Sequence, residues 1–467
     1  MRAPVLALAG VAAAALIPGI AQAQARADQQ AFFSLYKELV ETNTALSTGS
    51  CTKAAAQLAT RLKAAGYTDD DITLFATPEN PLDGGLVAVL KGSDPVVKPM
   101  LLLGHLDVVE AKREDWQRDP FTLIEENGYY YGRGTVDDKA QAAIWTDSMV
   151  RFKQEGYRPK RTIKLALTCG EETTYAFNGA EWLSKNKPDL IAAEFALNEG
   201  GGGRFNAAGK REVVAIQVGE KKAQNYTLTT TNPGGHSSAP APDNAIYELG
   251  DALKVIQGYV FPVKFTDTTR AFFRGLALTR KGPVGDAITR ILANPEDKAA
   301  NALLGLDKTL RSTLRTSCVA TMLAAGHAEN ALPQRATANV NCRIFPGETV
   351  EQTHAKLQEL AGSKVSVTTN LPLRPTAIPP ALDAKIIGPA RTLAAKYFPG
   401  VPFLPIMSTG ATDAIYVGGI GIPVYGVPGT FIDSDGNGIH GLNERIRIDS
   451  LYTGRDYLFD LVKIYAG

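Results

Sequence analysis

Residues 99–103 read Pro-Met-Leu-Leu-Leu, without a polar side chain, and run straight into Gly104-His105-Leu106-Asp107. A strand so uniformly apolar has to be covered on both faces, which puts the polar residues at its end on the rim of a core. The same design recurs where Arg161 to Thr168 leads into Cys169-Gly170-Glu171-Glu172, and where Ala193 to Ala196 runs toward Asn198-Glu199. Carboxylates in such places are costly unless something positive pairs with them. A pair of divalent cations is the simplest partner.

The apolar runs alternate with helical stretches. Helices are expected at Gln29 to Val40, Thr52 to Ala65, 140–154 and Ala176 to Asn186, and strands at Asp71 to Phe75, Gly85 to Leu90, Pro99 to Leu103, Arg161 to Thr168 and Ala193 to Ala196. That order predicts an α/β fold whose mixed sheet is flanked by helices, with the chemistry at the carboxyl ends of its strands. Gly200 to Gly203 reads as a tight turn. After residue 222 the pattern changes to strand, helix, two strands, helix, strand (Tyr226 to Thr231, Asn244 to Ile256, Arg315 to Leu323, Ala336 to Ile344, Glu348 to Leu360, Lys364 to Thr369). This βαββαβ order marks an inserted α+β domain over 223–372, interrupted by a helical extension at about 257–314. A first domain is then built from 26–222 and 373–467, the latter with a helix at 381–397, strands near Phe403 to Ile406 and Pro423 to Val427, and a terminal helix from Ser450. Two domains also suit a chain of 467 residues, since single cores stop growing at about 250–300.

Residues 1–25 carry one early charge, Arg2, then an apolar run from Pro4 to Ile20 and the small-residue stretch Ala21-Gln22-Ala23-Gln24-Ala25. This is the pattern of a secretory signal peptide cut after Ala23 or Ala25, and it predicts a periplasmic or secreted protein. No other stretch reaches the roughly 18 apolar residues of a membrane span. The formal net charge of +1 offers no positive field to nucleic acid or to an anionic membrane, so neither is expected as a partner. Export permits disulfides. Cys318 and Cys342 lie in two apolar segments able to pair antiparallel and are candidates for one, whereas Cys169 reads as a buried thiol and Cys51 carries no signal.

Each polar cluster has a plain reading beside the metal one. His105-x-Asp107 can be a turn pair, or Asp107 can orient an imidazole whose other nitrogen faces a metal. Asp137-Asp138, in Gly132-Arg133-Gly134-Thr135-Val136-Asp137-Asp138, can cap the helix that begins near Ala140, or Asp137 can lie between two ions while Asp138 caps. Glu171 and Glu172 can be helix-start acids, or divide into one ligand and one free base. Glu199 and His440 would complete the ligand set.

Taken in order, these motifs resemble the M20 metallopeptidases, the family of glutamate carboxypeptidase, aminoacylase-1 and carboxypeptidase S-like enzymes, from about residue 30 to the end of the chain. The resemblance implies a zinc-peptidase-like sheet with an inserted lid or dimerisation domain. It also implies two metal ions, most simply Zn2+ with Mn2+ or Co2+ as alternatives, held by His105, Asp137, Glu172, Glu199 and His440. Asp137 would bridge, its bond to Asp138 would be cis, Asp107 would steer His105, and Glu171 would be the general base. Gly235-His236-Ser237-Ser238 matches the lid motif whose histidine, His236, stabilises the reaction intermediate, often in a neighbouring subunit, so a homodimer is implied. Asn330 and Arg343 match residues that hold a substrate carboxylate, and Gly410 matches a glycine whose backbone contacts substrate. The implied activity is hydrolysis of short peptides with a free C-terminus. An N-acyl amino acid presents the same carboxylate and is the alternative, an aminopeptidase mode stays open, and a metal-stabilised binding protein is the rival of a different class.

Overall fold

The computed structural model describes residues 27–173, 176–375 and 378–467; the expected leader at 1–25 lies outside them. Among these residues the largest unit is a ten-stranded mixed sheet. Its order is Ile72–Thr77, Asn80–Leu90, Ile163–Thr168, Met100–His105, Phe195–Asn198, Val424–Gly426, Arg211–Glu220, Gly202–Phe205 and Phe431–Ile432, with Phe403–Ser408 also paired to Arg211–Glu220. The four strands Ile163–Thr168, Met100–His105, Phe195–Asn198 and Val424–Gly426 are mutually parallel. Their carboxyl ends therefore share one edge.

Side-chain alternation along Met100–His105 explains the unbroken apolar run. Leu102 faces a core built with helices Ala27–Glu41, Cys51–Ala64, Lys139–Gln154 and Ile448–Ala466, while Leu101 and Leu103 face a second core under Gly179–Asn186 and Ala414–Gly419. Both faces of the strand are thus dry, and each fully buried leucine contributes about 1.5–3 kcal/mol. The long strand Arg211–Glu220 had no counterpart in the sequence reading, and its hairpin partner Gly202–Phe205 begins inside the glycine run expected to be only a turn. Gly200, with φ +94°, makes the turn, and Gly202 and Gly203 are already in the sheet.

The second domain is an antiparallel sheet ordered Ser317–Ala325, Arg335–Ile344, Lys222–Thr231 and Ser366–Thr369, with helices Ala245–Gly258 and Val350–Ala361 on one face. Tyr226 and Leu228 point to the helices while the residues between them do not, as a half-covered strand requires. Helices Asp267–Thr279, Pro283–Ala293, Lys298–Leu304 and Lys308–Thr313 enclose a small core of their own around Phe273, Ile288 and Ile291. The first of these leans on the edge of the large sheet: a Cβ at Gly275 would come within 2.4 Å of Leu404 Cδ2.

Two disulfides are present, Cys318–Cys342 and Cys51–Cys169. Cys318 and Cys342 are direct partners across the lid sheet. The reading of Cys169 as a free thiol is corrected. Cys51 opens the helix that packs beneath Cys169, a long-range contact that no local pattern reveals.

Candidate metal centre and substrate clefts

Strand register assembles the cluster. His105 lies opposite Thr168 in the parallel pair, so the turn after Thr168 brings Glu171 and Glu172 alongside Asp107. The Asp107 carboxylate accepts the backbone N–H groups of Glu171 (3.3 Å) and Glu172 (3.0 Å). The turn needs Gly170, at φ +94°, where a Cβ would sit 1.9 Å from the Phe177 carbonyl oxygen. Asp107 therefore holds the Glu-Glu turn as well as facing His105, whose Nδ1 lies 3.0 Å from the Asp107 backbone oxygen and 3.6 Å from its carboxylate.

Asp137 stands at the centre. Its Oδ1 is 3.2 Å from His105 Nε2, and its Oδ2 is 3.1 Å from His440 Nε2. Glu199 Oε1 is 3.6 Å from His105 Nε2, and Glu172 Oε2 is 3.0 Å from His440 Nε2. Two ligand groups result, His105 with Asp137 and Glu199, and Asp137 with Glu172 and His440, sharing the one carboxylate. Glu171 stands against His105 and Glu172. The Asp137–Asp138 peptide is cis. Asp138 occupies the N-cap position of Lys139–Gln154 but makes no capping bond; its carboxylate accepts the His105 backbone N–H at 3.3 Å instead.

The electrostatics ask for cations. Burial pushes the carboxyls of Glu171, Glu172 and Glu199 up, with neighbouring acids adding to it. Hydrogen bonds to Asp137 and Glu172 raise His440 to about 10. A cluster this rich in acid favours positive charge beside it, and Glu172 Oε1 is buried without a hydrogen-bond partner. Paired histidine and carboxylate donors around a shared Asp suit such ions.

Sequence reasoning missed Glu444. Its buried carboxylate takes Arg133 Nη1 (2.8 Å) and the backbone N–H groups of Gly134 (3.0 Å), Val136 (2.8 Å) and Asp137 (3.1 Å). Arg133 also donates to the Gly441 carbonyl oxygen. The loop carrying Asp137 is thereby strapped to the loop carrying His440. The signal was Glu444 itself, an acid four residues beyond His440, matched to a lone Arg133 in a glycine turn.

Two clefts border the cluster and share no lining residue. One, of about 220 Å3, touches Glu171, Glu172 and His440 and is walled by Arg343, Arg374, Asn341 and Asn370. The other, of about 770 Å3, starts at Asp137 and Glu199 and runs beneath the helical extension past Phe272, Leu276, Leu310, Leu404, Ile406 and Met407. Arg343 reaches the first cleft, and Gly410 adjoins Ala411 in its wall. His236 and Asn330 line neither. They lie together on an exposed two-stranded ladder of distant segments, where Gly235–His236 pairs with Ala331–Leu332 and the Ser237 N–H donates to the Asn330 carbonyl oxygen. His236 Nδ1 accepts the Ser238 backbone N–H at 3.1 Å.

A buried sheet ending in clustered acids and histidines beneath a lid defines a metal-dependent hydrolase of the peptidase and amidohydrolase class. The chain belongs to the peptidase family M20/M25/M40, whose model matches residues 101–464. It is similar to the human N-fatty-acyl-amino acid synthase/hydrolase PM20D1, 29% identical over 80% of this chain and 75% of that protein. It is also similar to mouse aminoacylase-1, 26% identical over 82% and 84% of the two chains. Among solved structures it shares its fold with the M20 metallo-carboxypeptidase Sso-CP2 from Sulfolobus solfataricus (TM-score 0.71, 18% identity, 93% of this chain and 98% of that one). A second is Bacillus subtilis YXEP, described as a dinuclear metal-binding peptidase (TM-score 0.57, 13% identity, 95% and 99% covered).

Proposed function

We propose that the protein is an exported two-metal amidohydrolase that releases an amino acid from N-acyl amino acids with an apolar acyl part. The observation that carries this reading is the placement of two unlike clefts against different ligands of one cluster. The polar cleft, with Arg343, suits a carboxylate, and the larger, mostly apolar one suits an acyl chain. A scissile amide would then lie over Asp137. The name of the human relative points the same way. A short peptide with a free C-terminus is the second reading, since Arg343 serves its carboxylate equally, but it leaves the large cleft without a use.

In this reading His105, Asp137 and Glu199 would hold one ion, and Asp137, Glu172 and His440 would hold the other. Zinc suits the donors, while manganese or cobalt would accept so many oxygens. When bound, such a pair acidifies water and polarises a carbonyl. Glu171 takes the proton of the attacking water and passes it to the departing amine nitrogen. Asp107 holds the Glu171 backbone in place, Arg343 anchors the carboxylate, and the Gly410 segment lies beside it. His236 and Asn330 would act from a second copy of the chain in a homodimer, because the two-stranded ladder that carries them is exposed and lines neither cleft. Two disulfides and the leader-like residues 1–25 support a periplasmic or secreted location.

The test is kinetic. With zinc restored, N-decanoyl amino acids should be hydrolysed with kcat/KM at least about tenfold above N-acetyl ones, a small part of what roughly 0.8 kcal/mol per buried methylene can supply. Equal rates on both, or cleavage of dipeptides alone, would overturn the acyl reading.

A further inference from the structure

We infer that Arg374 joins Arg343 in a two-cation pocket that selects an amino-acid moiety bearing a second carboxylate, glutamate or aspartate. The inference rests on the amide-hydrolase reading of the same site. The two arginines arrive from different places, Arg343 from the lid strand Arg335–Ile344 and Arg374 from the segment that leaves the lid after Ser366–Thr369, and both wall the cleft of about 220 Å3. They are close enough to repel. Burial first, and then the charge of Arg374, hold the Arg343 guanidinium below its ordinary range, with Glu171 opposing.

Like charges gathered in a small cleft need an anion, and the two acids that line it, Glu171 and Glu172, belong to the histidine–carboxylate cluster and pair with neither guanidinium. Among the described residues neither guanidinium forms an ion pair, and Arg374 donates only to the Thr173 carbonyl oxygen, at 3.4 Å. The acids nearby are otherwise engaged. Glu171 faces the metal cluster, and Glu220 accepts from Thr412 and Gln217. A single α-carboxylate is satisfied by one guanidinium in a bidentate pair, which leaves the second cation unmatched. A side-chain carboxylate on the same residue matches it. Asn341 and Asn370 add polar groups to the wall, whose apolar members are the small residues Ala223, Pro372 and Ala411.

The test compares isosteric acid and amide substrates on the zinc-loaded full chain: N-decanoylglutamate against N-decanoylglutamine, and Ala-Glu against Ala-Gln. In whichever series is cleaved, kcat/KM should favour the acid by about tenfold or more. In Arg374→Gln that ratio should fall to about one, through KM of the acid, while Arg374→Lys, which keeps the charge, should retain most of it. A ratio near one in the parent, or a ratio unmoved in Arg374→Gln, overturns the pocket. If dipeptides are cleaved and decanoyl substrates are not, the acyl reading falls while the arginine pair is still decided by the Ala-Glu to Ala-Gln ratio. Cleavage of neither series rejects both.

Discussion

Glu444 holds the backbone of Asp137: its carboxylate accepts that residue's N–H at 3.1 Å, from 307 positions away in the chain. The same carboxylate takes two more backbone donors from the Gly134 to Val136 turn. The carboxylate shared by the two candidate ligand groups is thus positioned by an acid that is itself buried and paired with Arg133.

Replacing Glu444 with Gln should therefore act through the metals. It keeps the shape but loses an acceptor and the charge facing Arg133, and losses of this kind cost about 10–100-fold in metal affinity. Zinc titration of the variant, followed by activity at saturating zinc, measures this; parental affinity would show the strap to be ornamental.

Glu171→Gln separates chemistry from binding. The variant should keep its fold and its two metals and lose about 10²–10⁴-fold in kcat. Metal analysis by mass spectrometry together with single-turnover kinetics checks it, and near-parental turnover would remove Glu171 from the role of base.

Leu276→Asp places a charge in the wall of the large cleft, on the helical extension. Hydrolysis of decanoyl substrates should fall by about tenfold or more while acetyl substrates change little, because only the long chain meets the new carboxylate. Parallel loss on both would mean that the variant has damaged the fold rather than the cleft.

Stability should fall as pH rises through the neutral range because of Glu220. Burial, with Asp413 adding, raises its pKa to about 8, against about 4.3 in an unfolded chain. The native state therefore binds this proton more tightly than the unfolded one, and the stability it contributes below about pH 4 is lost between the two values. Hydrogen bonds from Thr412 and the field of Arg374 limit the effect. Chemical denaturation between pH 5 and 9 should show a shallower decline in Glu220→Gln than in the parent; identical slopes would assign the decline to other groups.

The pair Cys51–Cys169 closes a loop of 118 residues and ends two residues before Glu171. Cys51→Ser with Cys169→Ser should cost about 2–4 kcal/mol of stability. Urea denaturation of the double variant measures it, and an unchanged midpoint would leave the bond without a stabilising part.

Much of the fold was legible because burial is written into local pattern. Met100 to Leu103 reads as a strand covered on both faces, and Lys222–Thr231 and Arg335–Ile344 alternate as half-covered strands do. The interior strand Arg211–Glu220 escaped because its first half mixes charge with valine and its core-facing half is interrupted by Gln217 and Gly219. Asp107, Asp137, Glu172, Glu199 and His440 stood out as candidates because each stands at a strand end or glycine turn, and the structure brings them together. Arg374 and Glu444 did not stand out, since a single arginine among prolines and an acid after a histidine look like ordinary surface.

The sequence alone marked most of the strand ends and buried segments, because periodicity and apolar runs are properties of neighbours. Only the tertiary structure decided that Asp137 lies between His105 and His440, that Cys51 meets Cys169, that His236 stays on an exposed two-stranded ladder, and that two unlike clefts flank one cluster. Those relations depend on strand register and on how a helical extension docks on a distant sheet edge, and distances across a fold are not encoded in the spacing of residues along it.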